Sequence, residues 1–162
     1  AVIYATSPVS SVVEEVAGRY PDITVRKYHV DALAARMVTQ PDTIDVIVAS
    51  NLFGDILTDL GAAISGSLGV APSANLDPTR KNPSMFEPIH GSAPDIAGKG
   101  VANPIGAVWA GAMMLDHLGE KQASQRVIKA IEKVTLQGSV RTPDLGGSAT
   151  TADLTRALVD AL

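Results

Sequence analysis

Three features of the sequence predict an α/β fold. Short β-branched runs alternate with stretches of helical period. One run, Asp45 to Ala49, is continuously apolar, the mark of a strand covered on both faces. Gly and Pro gather at the joints between the runs. The composition agrees: of 162 residues, 46% are hydrophobic and 19% charged, too apolar for disorder. At roughly 100–200 residues per domain, this length predicts one domain or two halves sharing a core.

The chain opens at Ala1-Val2-Ile3-Tyr4 without Met and reads as one entered midway. Ser7-Pro8 pairs an N-cap hydroxyl with Pro at a first helical position. Val9, Val12, Val13, Val16 and Ala17 then predict one buried stripe, and Gly18 a C-terminal cap. Ile23 to Val30 reads as a strand, and Asp31 to Gln40 as an Ala-rich helix stopped by Pro41. After the strand at 45–49 comes a helix with Phe53, Ile56, Leu57, Leu60 and Ile64 on one side. Gly61, Gly66 and Gly69 make its far end pliable. Val70 to Leu76 and Ser84 to Ile89 are short strands whose prolines favour edges or strand ends. Asp77-Pro78 and Asn82-Pro83 mark the connection between them as exposed.

A Gly- and Pro-rich loop, Gly91 to Gly100, leads to Asn103-Pro104, the start of a helix with so little polar face that it is expected to be central. A polar-faced helix follows from about Glu120 to Gln137, capped by Gly138. After a turn at Pro143 to Gly147, Thr151 begins a last helix with Leu154, Ala157, Leu158 and Leu162 inward. The predicted order is α-β-α-β-α, two strands, then three helices. The first part reads as a parallel βαβ arrangement, and the two later strands as members of a sheet whose others lie elsewhere.

Several functional classes are disfavoured. Thirteen Lys and Arg against seventeen Asp and Glu give a net charge of −4, without the basic footprint that nucleic acid requires. The absence of Cys excludes disulfides and thiolate chemistry. The longest apolar stretch, Pro104 to Leu115, is far shorter than the ~20 residues of a membrane span. No signal-peptide pattern opens the chain, so a cytoplasmic protein is expected. No G-x-S-x-G elbow or G-x-G-x-x-G after a strand is present, against a hydrolase or a Rossmann site.

Two groups of residues could carry chemistry. Asp55 and Asp59 lie four apart on a predicted helix, about 5–6 Å from each other on one face. Paired carboxylates repel unless a cation lies between them, and a hard divalent ion favours such oxygen ligands. A solvated polar face has the same spacing, and Asp31 reads equally as the N-cap of its helix. The second group is the loop from Glu87 through His90, Gly91, Ser92, Ala93, Asp95 and Ile96 to Asn103. Its small residues allow close approach of a ligand, and it ends at a helix N-terminus, where free N–H groups favour phosphate. An Asp there can accept both ribose hydroxyls and repels a 2′-phosphate. An ordinary surface loop is the alternative. His90 reads as a base or as a packing residue, while His29 and His117 read as structural.

The run Ala49-Ser50-Asn51-Leu52-Phe53-Gly54-Asp55-Ile56-Leu57-Thr58-Asp59-Leu60, followed by Phe86-Glu87-Pro88-Ile89-His90-Gly91-Ser92-Ala93-Pro94-Asp95-Ile96-Ala97-Gly98-Lys99-Gly100-Val101-Ala102-Asn103-Pro104, resembles the isocitrate/isopropylmalate dehydrogenase family. The likeness runs from Pro8 to Leu162. Asp31-Ala32-Leu33-Ala34-Ala35-Arg36 and Ala71-Pro72-Ser73-Ala74-Asn75-Leu76-Asp77-Pro78 are most similar to its tartrate/D-malate branch.

The resemblance implies NAD- and Mg²⁺- or Mn²⁺-dependent oxidation of a 2-hydroxy acid, followed by decarboxylation. It implies Asp55 and Asp59 as metal ligands from one subunit and Asp31 as the ligand reaching the neighbouring subunit's site, hence a homodimer. It also implies cofactor contacts from Glu87, His90, Gly91, Ser92, Ala93, Asp95, Ile96 and Asn103, with Asp95 on the ribose and Asn103 near the adenine. The family's catalytic Tyr and Lys, and its substrate-binding Arg cluster, match nothing here: Tyr4, Tyr20 and Tyr28 are out of motif. The expected architecture is therefore the C-terminal part of that α/β fold, an incomplete sheet with flanking helices. Residues 1–65 fall in the smaller dimerisation domain and 66–162 in the larger nucleotide-side domain. Such a chain is expected to have no turnover alone. The alternatives are 3-isopropylmalate dehydrogenase and a non-catalytic regulatory or interaction module of the same family.

Overall fold

The structure, a computed structural model, describes residues 2–5 and 10–162. Ser7-Pro8 and Val9, read above as a helix start, lie outside the described residues. The fold is α/β, and the chain divides into two compact units, Ala1–Ser65 and Gly66–Leu162.

In the first unit the elements are β1 (Val2–Ala5), α1 (Ser10–Ala17), β2 (Val25–Tyr28), α2 (Val30–Thr39), β3 (Val46–Val48) and α3 (Asn51–Ile64). The strands form a parallel sheet in the order β2-β1-β3, with Val2 opposite both Val25 and Val46. Each crossover between parallel strands needs a helix, which the alternating pattern supplies. Leu33 and Met37 from α2 and Leu57 from α3 make the core, walled by Tyr28, Ile47, Phe53 and Leu60. The Arg36 guanidinium lies over the Tyr28 ring, 5.7 Å from its centroid.

This unit corrects four sequence expectations. The central strand β1 was not anticipated, because a four-residue run with no turn signal before it carries little periodicity. β3 is an edge strand of this sheet, so Val46 is exposed instead of covered on both faces. On α3 the inward stripe is Phe53, Leu57 and Leu60, while Ile56 and Ile64 face outward. α1 buries no residue, and Val12 and Val16 are exposed.

The second unit holds β4 (Pro72–Asn75), β5 (Met85–Pro88), α4 (Ile105–His117), α5 (Lys121–Gln137) and α6 (Thr151–Ala161). β4 and β5 pair antiparallel, with Pro72 opposite Pro88, so both prolines sit at the same end of the ladder. Ile105, Ile131, Val134, Leu154 and Leu158 form the core between the three helices. Gly106 lets α4 approach the 69–71 backbone: a Cβ there would stand 2.9 Å from the Gly69 carbonyl and 3.0 Å from that of Ala71. α4 is less enclosed than its apolarity predicts, since Trp109 and Met114 remain exposed, and Leu162 faces outward. Gly138 ends α5 in the left-handed region (φ +62°), and Thr150 with Asp153 forms a capping box on α6. No described helix is long and apolar enough to cross a membrane.

Candidate functional site

The acidic candidates lie in the first unit. Asp31 occupies the first turn of α2, where its Oδ1 accepts the Ala32 N–H at 2.8 Å. The N-cap position belongs to His29, which corrects the reading of Asp31 as the cap. Asp55 and Asp59 stand one turn apart on α3, both exposed, beside the outward-facing Ile56. Asn51 donates its side-chain N–H to Asp55 Oδ2 at 3.2 Å. The chain offers two hard oxygen donors on one helix face, a donor set suited to Mg²⁺ or Mn²⁺. Asp31 does not complete it within this chain: among the described residues, no group of three or more His, Asp or Glu side chains could hold a metal ion.

The loop candidates lie in the second unit. Glu87 is exposed in β5, and the Ile89 N–H continues the pairing by donating to the Ala71 carbonyl at 3.1 Å. His90 is half-buried, its Nδ1 3.0 Å from the Gly91 carbonyl oxygen, a contact that uses Nδ1–H as donor. Gly91 has open space where a side chain would stand, and Ser92 is exposed. Ala93 takes φ +43° and closes a turn whose Ile96 and Ala97 N–H groups donate back to its carbonyl at 3.0 and 3.1 Å. That turn leaves Asp95 exposed and Ile96 half-buried. Gly98 and Gly100 carry the backbone through positive φ, +76° and +67°.

The exit of the loop is tied down. Thr151 donates its N–H to the Gly100 carbonyl at 2.8 Å and its hydroxyl to that of Ala102 at 2.6 Å. Asn103 is buried, 7% exposed, and its side chain is committed inside the unit. Its Oδ1 accepts the Ile105 N–H at 2.9 Å, and its amide donates to Asp144 Oδ2 at 2.9 Å.

Asp144 is the residue that sequence reasoning missed. Its carboxylate also accepts the Ser67 hydroxyl, which in turn accepts the Gly69 N–H at 2.9 Å. Burial acts to raise the Asp144 carboxyl, but the hydrogen bonds it accepts, from the Ser67 hydroxyl and the Asn103 amide, outweigh it and hold it below the usual carboxylate range. The Pro143–Leu145 turn marked the place without indicating its partners. An open cavity of about 630 Å³, lined by Arg141, Ser148, Asp153 and Arg156 among others, includes none of the candidate residues.

The pattern of the isocitrate/isopropylmalate dehydrogenase family matches residues 2–161. The chain is 53% identical over 154 residues to a probable tartrate dehydrogenase/decarboxylase of Bacillus subtilis (strain 168), covering 94% of this chain and 43% of that protein. It is 56% identical over 151 residues to the decarboxylating D-malate dehydrogenase of Escherichia coli (strain K12), covering 90% and 42%. The crystal structure of isocitrate dehydrogenase from Methylococcus capsulatus superposes with a TM-score of 0.91 at 40% identity, over 99% of this chain and 49% of that one. The chain thus spans less than half the length of these relatives. With nearly every residue matched and the fold shared, the chain belongs to the isocitrate/isopropylmalate dehydrogenase family.

Proposed function

We propose that this chain is part of an NAD- and Mg²⁺- or Mn²⁺-dependent decarboxylating dehydrogenase of the D-malate/tartrate type. Such an enzyme transfers hydride from the hydroxyl-bearing carbon of a 2-hydroxy acid to NAD, releases the hydroxyl proton, and loses as CO₂ the carboxylate β to the new ketone. The observation that carries the reading is the identity of 53% and 56% to the tartrate and D-malate dehydrogenases, well above the 40% to the isocitrate dehydrogenase structure.

The residues support it in two places. Asp55 and Asp59 hold the cation from α3, and Asp31 completes the set from a second copy of the chain. A divalent cation bound there supplies Lewis-acid polarisation of the substrate's oxygens. In the loop, Asp95 accepts the ribose hydroxyls and its charge repels a 2′-phosphate, which favours NAD over NADP. The open flank of Gly91 admits the cofactor close to the backbone. Glu87, His90, Ser92, Ala93 and Ile96 surround that approach. Residues 1–65 serve as part of the smaller dimerising domain, and 66–162 as the C-terminal part of the nucleotide-side domain. No residue of this chain is assigned the proton transfers.

The test is NADH formation with Mn²⁺ by the protein carrying this chain, comparing D-malate with 3-isopropylmalate. A strong preference for D-malate is expected. Preference for isopropylmalate overturns the substrate assignment and leaves the cation and NAD assignments standing. Binding of Mn²⁺ and NAD without turnover of either acid points to a non-catalytic module instead.

A further inference from the structure

A part-buried polar knot of the second unit ties the exit of the loop at Asn103, and the function proposed above makes no use of it. Asp144 Oδ2 takes the Ser67 hydroxyl and the Asn103 amide together, joining three segments distant in sequence. The knot has no slack. A Cβ at Gly69 would stand 2.8 Å from Asn103 Cβ and 3.0 Å from Asp144 Oδ2. Asp144 is itself held in a turn, with the Leu145 and Gly147 N–H groups donating to the Thr142 carbonyl, each at 3.0 Å. Asn103 is equally constrained: with Oδ1 fixed by the Ile105 N–H, its amide has one direction left, toward Asp144. Neutral partners for that amide would hold it less firmly, because hydrogen bonds to an ionised acceptor are shorter and stronger.

We infer that Asp144 is a positioning residue for the cofactor loop: its carboxylate orients the Asn103 amide and so sets the loop exit against the first turn of α4. The inference rests on the reading of the 87–103 loop as the NAD site. Thr151 fixes Gly100 and Ala102 from α6, and Asp144 supplies a separate anchor at 103. The carboxyl stays ionised for this role, since the groups that orient it also hold it below its ordinary range.

A double-mutant cycle on NAD affinity in the full chain separates positioning from simple support of the fold. Asp144→Asn is expected to weaken NAD binding about tenfold in the wild-type background, the scale of one lost charge-assisted hydrogen bond, with almost no further loss in an Asn103→Ala background. The Asn103 side-chain amide resonance should move in Asp144→Asn before any NAD is added. An equal loss in both backgrounds overturns the inference, because Asp144 would then act through the fold alone. Unchanged affinity in Asp144→Asn beside normal wild-type binding also overturns it, while the loop reading survives. Absence of NAD binding by the wild type overturns the loop reading and this inference with it. If Asp144→Asn fails to fold, Ser67→Ala takes its place. That variant removes one donor without altering the charge, and is expected to weaken binding by about threefold in the same background-dependent way. Equal losses in both backgrounds, or none, overturn the inference there too.

Discussion

Asp95 and Asp144 are both carboxylates of the second unit, yet their surroundings give them different work. Asp95 stands exposed beyond the Ala93 turn, free to meet a ligand. On the proposed reading it accepts two ribose hydroxyls, and its charge discriminates against NADP. Asp95→Asn is therefore expected to weaken NAD binding by about tenfold, as loss of a charged acceptor does, and to leave NADP binding unchanged or improved. Titration of both cofactors checks this, and an unaltered NAD:NADP ratio would remove Asp95 from the site. Asp144 is instead turned inward on Ser67 and Asn103, and its contribution to stability, beside the positioning proposed for it, depends on pH in a definite direction. Its carboxyl is lowered in the folded state, with burial opposing and the bonds from Ser67 and Asn103 prevailing. A group lowered on folding stabilises fully above its unfolded value, and that stabilisation is lost as pH falls through the folded value. Asp144→Asn should thus lower the denaturation midpoint at pH 7, and the gap to wild type should close below about pH 4, where unfolded carboxylates protonate.

Among the elements, packing decides what burial each apolar residue obtains. Leu33 is completely buried between Met37 and Leu57, whereas Leu136 on α5 is 90% exposed. Leu33→Ala should cost about 2–5 kcal/mol through lost burial and the cavity left behind. Leu136→Ala should stay within about 0.5 kcal/mol. Urea unfolding of the two variants measures the contrast. Two element ends were legible in local chemistry: Gly138 closes α5 in the left-handed region, and α6 starts at Thr151 as read, although the Thr150–Asp153 capping box that opens it emerges only in the structure. What an element faces was less legible. The apolar run around Val46 reads as a covered strand, but it borders a sheet of three, and nothing local encodes the number of neighbours. Ile56 belongs to the same apolar surplus as Leu57, and only packing against Leu33 and Met37 of α2 selects which of them turns inward. The candidate site divides in the same way. The spacing of Asp55 and Asp59 is written within one helical turn. The partners of Asp144 lie 41 and 77 residues away in sequence, a separation that only the folded unit closes.

For the molecule as a whole, the first unit carries an unfinished arrangement on one helix. α3 shows two carboxylates, Asp55 and Asp59, together with outward-facing Leu52 (66% exposed) and Ile56 (53%). Two acidic oxygen donors on one face hold a divalent ion weakly when the remaining positions are filled by water, and added carboxylates tighten such sites. If Asp31 of a second copy supplies the third carboxylate, cation binding and self-association are linked, and each must favour the other by the same factor. The apolar pair adds a surface that association would cover. Sedimentation of the chain at micromolar concentration should therefore show more dimer when Mn²⁺ is added. The response should vanish in Asp31→Asn, which removes the donor reaching across but alters neither Asp55 nor Asp59. It should weaken in Ile56→Glu, which places charge in the apolar contact and disfavours the dimer with or without the ion. A Mn²⁺ response that survives Asp31→Asn unchanged would mean that the ion is held within one copy, by Asp55 and Asp59 alone. The dimer would then owe nothing to a shared site.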